Sequence, residues 1–333
     1  MVVVVSLLLA AGCGSSPTSS TPSTPAGPHT IYAVQSGIWN WGLQNGTNDS
    51  VLEFPVTANG NVSPAASLAT PAGVVIQAIA ADTSGNLYVA SFSPVPQILV
   101  YAPGATGAAT PARTIAGSNT SLAEVISVAV DPSGQIYVQN ATSTNVEVLV
   151  FAANATGNVA PIRTITSLYM EAPSGLAVDS SNLYVANRPL GYILVFPSSA
   201  NGSTTPTRTI GGYVTGSLQQ LLLPAADGMG NVYADSQPTT IGANTWYILE
   251  FNSTANNTAN GNAVPTRTLD LGAGNLLAGF GVDGAGTIYA AILTAGGGYS
   301  IEVFGSSASG SATPTAVITS SAWTANEAGI AVN

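Results

Sequence analysis

One pattern of hydrophobic and polar positions recurs six times along the chain. Each copy has a short apolar segment, a polar turn, and a second apolar segment that opens with an aliphatic residue or Val and Tyr. A third apolar segment then ends on an aromatic ring. The clearest turn region is Val128-Ala129-Val130-Asp131-Pro132-Ser133-Gly134-Gln135-Ile136-Tyr137-Val138. Apolar runs this short, bounded by Gly, Pro, Asn and Ser, predict strands rather than helices.

The Tyr returns as Tyr32, Tyr88, Tyr137, Tyr184, Tyr233 and Tyr289, at spacings of 56, 49, 47, 49 and 56 residues. The third segments close on Phe54, Tyr101, Phe151, Phe196, Phe251 and Phe304. A Gly/Asn/Ala-rich connection leads to a fourth segment marked by Arg-Thr and an aliphatic residue, as in Pro111-Ala112-Arg113-Thr114-Ile115. Arg163, Arg208 and Arg267 repeat that Arg, whereas the first and last copies carry Ala66 and Ala316.

Four short strands per repeat of about fifty residues are the signature of a propeller blade. The expected fold is all-β, a six-bladed β-propeller spanning residues 29–333 and closed by pairing of its N- and C-terminal strands. Gly329-Ile330-Ala331-Val332-Asn333 matches the first strand of the motif, and His29-Thr30-Ile31-Tyr32-Ala33-Val34 matches the second. Pairing them removes the two open sheet edges that a linear array would expose.

Two further series follow the register. Asp82, Asp131, Asp179, Asp227 and Asp283, with Asn333 in the sixth place, stand at the first turn, where a carboxylate accepts backbone N–H groups. Two residues earlier lie Ala80, Ala129, Ala177, Ala225, Gly281 and Ala331, small enough for innermost strands that converge on an axis. The tyrosines and terminal aromatics are expected to pack between blades, and the repeated arginines to be salt-bridged or stacked there.

Composition narrows the partners. Fifteen carboxylates face five cationic residues, all Arg, giving a formal charge of −10. Nucleic acid is excluded as an expected partner, because binding phosphate backbones needs clustered cations. Hydrophobic residues make up 46% of the chain and charged ones 6%, so a large core goes with a polar, nearly uncharged surface. The single cysteine, Cys13, allows no internal disulfide, and the single histidine, His29, is expected to be inert.

Val2 to Ala11 form an apolar run of signal-peptide length. It ends in Leu9-Ala10-Ala11-Gly12-Cys13, which resembles the lipobox of bacterial lipoproteins, with Ala10 where that motif more often has Leu. The resemblance implies a signal peptide over 1–12, lipidation at Cys13, and export to the cell envelope; plain secretion is the alternative. The Ser/Thr/Pro-rich residues 13–28 then read as an extended tether. Contact with a membrane is expected only through that anchor.

Together, the turn Asp and Gly followed by aliphatic-Tyr-Val, and the strand ending in an aromatic, resemble NHL-repeat propellers and related bacterial surface propellers. The resemblance covers residues 29–333. It implies a ligand face made by the loops between second and third strands and between fourth and first strands. Trp39, Trp41, Trp246 and Trp323 fall in or beside those loops, with Tyr169, Tyr213 and Tyr299. Set among them are Arg188 and the acids Glu171, Asp235, Asp270 and Glu327. Exposed rings among polar groups suit a polysaccharide, a peptide or an envelope protein.

The primary expectation is a non-catalytic, monomeric binding scaffold with no cofactor, no metal and no catalytic residue. The alternative is a propeller lyase or lactone hydrolase, a chemistry the resemblance also allows. It would use a divalent metal held by carboxylates, and those four acids are the candidate ligands for Ca²⁺ or Mg²⁺.

Overall fold

The computed structural model describes residues 29–35, 49–171, 173–187, 191–211, 223–236, 245–253, 264–294, 296–323 and 327–333. These form six antiparallel sheets, each with four main strands in simple up-and-down order. Blade 1 comprises Glu327–Val332, Thr30–Gln35, Ser50–Pro55 and Ala66–Ala69, from the axis outward. Blade 2 follows with Ala78–Ala81, Leu87–Ser91, Gln97–Tyr101 and Arg113–Ala116. Blade 3 is Glu124–Val130, Ile136–Ala141, Val146–Phe151 and Arg163–Thr166. Blade 4 is Pro173–Val178, Asn182–Asn187, Tyr192–Pro197 and Arg208–Gly211. Blade 5 is Pro224–Ala226, Val232–Ser236, Thr245–Phe251 and Arg267–Ala273. Blade 6 is Leu276–Val282, Ile288–Leu293, Tyr299–Phe304 and Ala316–Thr319.

The first strands of successive blades pack on one another around the whole circuit, from blade 1 through blade 6 and back to blade 1. The circuit closes by strand exchange between the ends of the described chain. Ile31 lies opposite Val332, Tyr32 opposite Ala331, and Ala33 opposite Ile330. Asn333 finishes the joint: its side-chain Oδ1 accepts the Thr30 N–H, and its carbonyl is hydrogen-bonded to the His29 ring. The fold is a six-bladed β-propeller.

Period-two alternation explains the core. Each repeated Tyr faces the next blade, and each terminal aromatic, one residue out of phase across the sheet, faces the previous one. Tyr137 therefore shares a junction with Phe196, Tyr184 with Phe251, and Tyr289 with Phe54. The core is six such apolar slabs between blades. All the closing aromatics are buried, and removing one ring would cost about 3–5 kcal/mol.

The small-residue series is the cross-strand partner of the Tyr series. Ala80 opposes Tyr88, Ala129 opposes Tyr137, Ala177 opposes Tyr184, Ala225 opposes Tyr233, and Gly281 opposes Tyr289. A Cβ on Gly281 would meet side-chain carbons of Val332 and Ile330 at 3.1 and 3.3 Å, so blade 1 leaves no room for it. The turn carboxylates hold their own turns as expected. Asp131 Oδ1 accepts the Ser133 and Gln135 N–H groups, and Asp82 and Asp283 repeat the arrangement. Their second oxygens do something the sequence did not announce: they accept the Tyr hydroxyl of the following strand, as Tyr88 does to Asp82 at 3.0 Å and Tyr184 to Asp179 at 2.8 Å. Burial and these carboxylates push the Tyr88 hydroxyl up to about 12, and burial does the same for Tyr32.

The outer rim carries two ties between neighbouring blades. Three of the repeated arginines, Arg113, Arg163 and Arg267, reach into the next blade's last connection and donate to backbone carbonyls. Arg113 donates to the Ala153 and Ala155 oxygens, Arg163 to those of Ser198 and Ala200, and Arg267 to that of Ala308. Stacking accompanies this, with Arg113 and Arg163 over the Tyr88 and Tyr137 rings at 6.0 and 5.6 Å. The salt bridge expected for the series is found at Arg267, which pairs with Glu250 in its own blade. The second tie is a glycine in each of these connections that makes a parallel bridge to the previous blade's outermost strand. Gly107 bridges to Leu68, Gly157 to Ile115, Gly310 to Leu269, Gly202 to Ile165 and Gly60 to Ile318. All five have φ between 61° and 78°, a backbone region that favours Gly.

Candidate functional site

Second strands run from the Asp turns towards the opposite rim, so the loops between second and third strands share that rim with the connections between blades. Those connections are pinned from behind by polar side chains. The Gln35 side-chain amide donates to the Ala322 carbonyl. Asn140 accepts the Ala123 N–H and donates to the Ser121 carbonyl, and Asn187 donates to that of Tyr169 at 2.6 Å. Asp235 accepts the Leu223 N–H, and Asp49 Oδ2 accepts that of Ile76. Asp49, Asn140, Asn187 and Asp235 are all buried.

Gln35, Asn140 and Asn187 stand three residues after the repeated Tyr, as do Ser91 and Ser236. A polar residue recurring at the end of an otherwise apolar strand was the signal that could have found these pins.

Several predicted residues can now be located. Tyr169 is half-exposed beside Leu168, which is 93% exposed, on the connection from blade 3 to blade 4. Glu171 lies exposed on the same connection and helps raise the Tyr192 hydroxyl, whose main cause is burial. Tyr299 opens the third strand of blade 6 and is partly buried.

Three others depart from the exposed setting expected. Trp323 packs edge-on to Phe54, with ring centroids 5.7 Å apart, in the slab between blades 6 and 1. Trp246 packs into the slab between blades 5 and 6, and both indole N–H groups are buried. Their rings are too large and apolar to leave in water when an adjoining slab can take them. Asp235 is 2% exposed, its carboxylate serving the Leu223 backbone rather than solvent.

Asp270 lies on the outermost strand of blade 5, where it accepts the Gly272 N–H and the Ser311 hydroxyl. Glu327 begins the innermost strand of blade 1. Trp39, Trp41, Tyr213, Arg188 and Cys13 lie outside the described residues.

The acids put forward for a metal thus sit in separate settings: Glu171 on a surface connection, Asp235 buried behind another, Asp270 on an outer strand. Among the described residues no three His, Cys, Asp or Glu side chains gather as a metal site. Hydrogen-bonded as they are, Asp235 and Asp270 serve backbone structure.

Comparison with known proteins places this architecture. A protein of unknown function from Bacteroides caccae superposes with a TM-score of 0.55 at 10% identity, covering 92% of this chain and 98% of that one. A chain of a nidogen/laminin complex gives 0.56 at 14% identity, with 91% and 98% covered. The WD40 domain of Toxoplasma gondii coronin gives 0.50 at 12% identity, with 88% and 69% covered. The likeness is one of fold. No protein-family model matches the sequence, and no curated protein does.

A cleft of about 510 Å³ opens between blades 3 and 4 on the rim that bears the pinned connections. Its walls are the Thr142–Asn145 turn of blade 3 and the connection through Ser167, Leu168, Met170 and Glu171. The Thr142 hydroxyl holds that turn by bonding to the Asn145 backbone. Met170 is 6% exposed and belongs to the slab beneath.

Proposed function

We propose that this chain is an exported, lipid-anchored binding scaffold of the cell envelope, attached through Cys13 and a tether over 13–28. Its partner meets the rim formed by the second-to-third-strand loops and the connections between blades. One observation carries the reading: the described parts of those connections, at Ile76, Ser121, Ala123, Tyr169 and Leu223, are held by buried side chains from the blades, so the surface these parts present is fixed before a partner arrives. A preorganised surface avoids the ordering cost that weakens loop-mediated recognition.

The propeller fold suits such a scaffold, and the half-exposed Tyr169 and exposed Leu168 give the rim an apolar contact. In the proposed assignment, Cys13 supplies attachment only, and the −10 charge keeps the body off anionic headgroups.

Two measurements test this. Cells fed radiolabelled palmitate should label the wild-type chain and not Cys13→Ala, which should leave the membrane fraction. The full chain in detergent, used as bait against envelope extract and a glycan array, should retain a partner that Leu168→Ala/Tyr169→Ala loses. Retention unchanged by that double substitution would place binding elsewhere, and a label that survives in Cys13→Ala would remove the anchor.

A further inference from the structure

The cleft between blades 3 and 4 combines features that together select a ligand class. Its polar lining is mostly hydroxyl, from Thr142, Thr144, Ser167 and Ser203, with the Asn145 amide. Among the described residues Glu171 is the one acidic side chain that lines it. Leu168, almost wholly in water, stands at the same connection beside the half-exposed Tyr169.

Below the cleft lie further polar groups. Val146 lines the cleft, and two residues along the same strand Val148 pairs with Gln139. Gln139 is fully buried, and among the described residues neither atom of its side-chain amide has a partner, nor does the Oδ1 of buried Asn187, facing from blade 4. Buried amides in this condition ordinarily hold ordered water, so polar groups extend behind the floor made by Met170.

An extended peptide is a poor fit. It would bind by adding a strand to a free sheet edge, but the edge here is taken: Thr166, at the cleft, already pairs in parallel with Ser203. Phosphates and uronic acids are disfavoured by Glu171 and by the absence of a cation among the described residues that line the cleft.

We infer that the cleft between blades 3 and 4 binds a neutral oligosaccharide. Its hydroxyls meet Glu171 and the Thr and Ser side chains, and a C–H face lies on Leu168. A carboxylate accepts two sugar hydroxyls at once, and an aliphatic wall suits the apolar face of a pyranose ring. This assignment rests on the scaffold reading and names its ligand.

The test is calorimetric titration of the full chain in detergent with cellohexaose, xylohexaose and chitohexaose, and with hexagalacturonate as the anionic probe. At least one neutral hexasaccharide should bind, and Glu171→Gln and Leu168→Ala should each weaken it about tenfold, a loss of about 1.4 kcal/mol. Both residues are exposed, so thermal unfolding should be unchanged in the variants. Preference for hexagalacturonate, or neutral binding that neither substitution alters, would overturn the assignment. If no hexasaccharide binds while envelope extract still yields a protein partner, the cleft assignment falls and the scaffold stands. If neither binds, both fall.

Discussion

The junction between blades 3 and 4 and the two junctions flanking blade 1 hold the same ring together by different means. At the first, Arg163 bridges the blades, contacting the Ser198 and Ala200 carbonyls, the Gln135 side chain and the Tyr137 hydroxyl. At the others, Ala66 and Ala316 stand in place of the arginine and reach nothing comparable. Blade 1 keeps the glycine bridges of Gly60 to Ile318 and of Gly107 to Leu68 at the rim, and to these it adds its shared strand pairing and close approach at the axis. A Cβ on Gly279 of blade 6 would lie 3.1 Å from the Gly329 backbone of blade 1. A ring's circumference can thus be reinforced with arginine or its centre packed tightly, and this one does the second where blades 6 and 1 meet.

The largest effect should come from alkali, which acts on every junction at once. Burial raises the Tyr32 and Tyr88 hydroxyls from 10.0 to about 12 and raises Tyr137, Tyr184, Tyr233 and Tyr289 as well. The folded state resists losing protons that the unfolded chain gives up. This stabilisation is complete below pH 10 and lost as pH climbs through 12. Tyrosinate absorbance and loss of β-sheet circular dichroism should therefore rise together in that window; tyrosinate formation in a still-folded chain would contradict the packing.

Next in size, Arg163→Ala should cost about 2 kcal/mol in urea unfolding, because it strips charge-assisted hydrogen bonds and leaves carbonyls short of a donor. A cost near zero would mean that the circumferential tie is ornamental.

Grafting the missing arginine sharpens the contrast in the other direction. Glu53 lies opposite Ala66, as Glu250 lies opposite Arg267, and burial raises the Glu53 carboxyl above its ordinary range. Burial of an acid in this way makes ionisation costly to the fold: stability falls as pH rises through the raised value. Ala66→Arg should supply the absent partner, lower the Glu53 pKa by NMR titration, and add up to about 1 kcal/mol at neutral pH.

The smallest effect is expected at Tyr101, the one closing aromatic that is not Phe. Its hydroxyl is buried without a partner, and burial raises it to about 12. Tyr101→Phe should leave the thermal midpoint unchanged or raise it by the equivalent of about 1 kcal/mol.

Most of the architecture was legible because its determinants repeat. Six copies of Tyr, closing aromatic, turn Asp and small residue set strand number, facing and closure, since alternation permits one register that buries both aromatic series. The rim glycines were legible too, though only as part of a connection: Ala-x-Gly-x-x-x-Pro recurs from Ala58 to Pro64 and from Ala308 to Pro314. What such a loop bridges to is a matter of three-dimensional neighbourhood, which no local pattern records.

The rim was read less well for a related reason. Position in or beside the loops of the implied ligand face marks Trp246, Trp323 and Asp235 as candidates for contact, but whether a loop residue turns outward or inward depends on the space beneath it. Of the cleft's lining only Glu171 was marked; its Thr and Ser side chains were not, because hydroxyl residues crowd the whole sequence and only folding selects which of them converge.

Blade 1 has one last consequence. The chain enters it at Thr30 on the rim of the Asp turns and leaves it at Val332 on that same rim, across the ring from the pinned connections. If the proposed anchor holds, a stalk rising from a bilayer into His29 would carry the molecule like a flower on its stem, with the cleft turned towards the medium. Any tug on the cargo would then travel down a single blade, the one without guanidinium clasps, so that petal would be the first to yield.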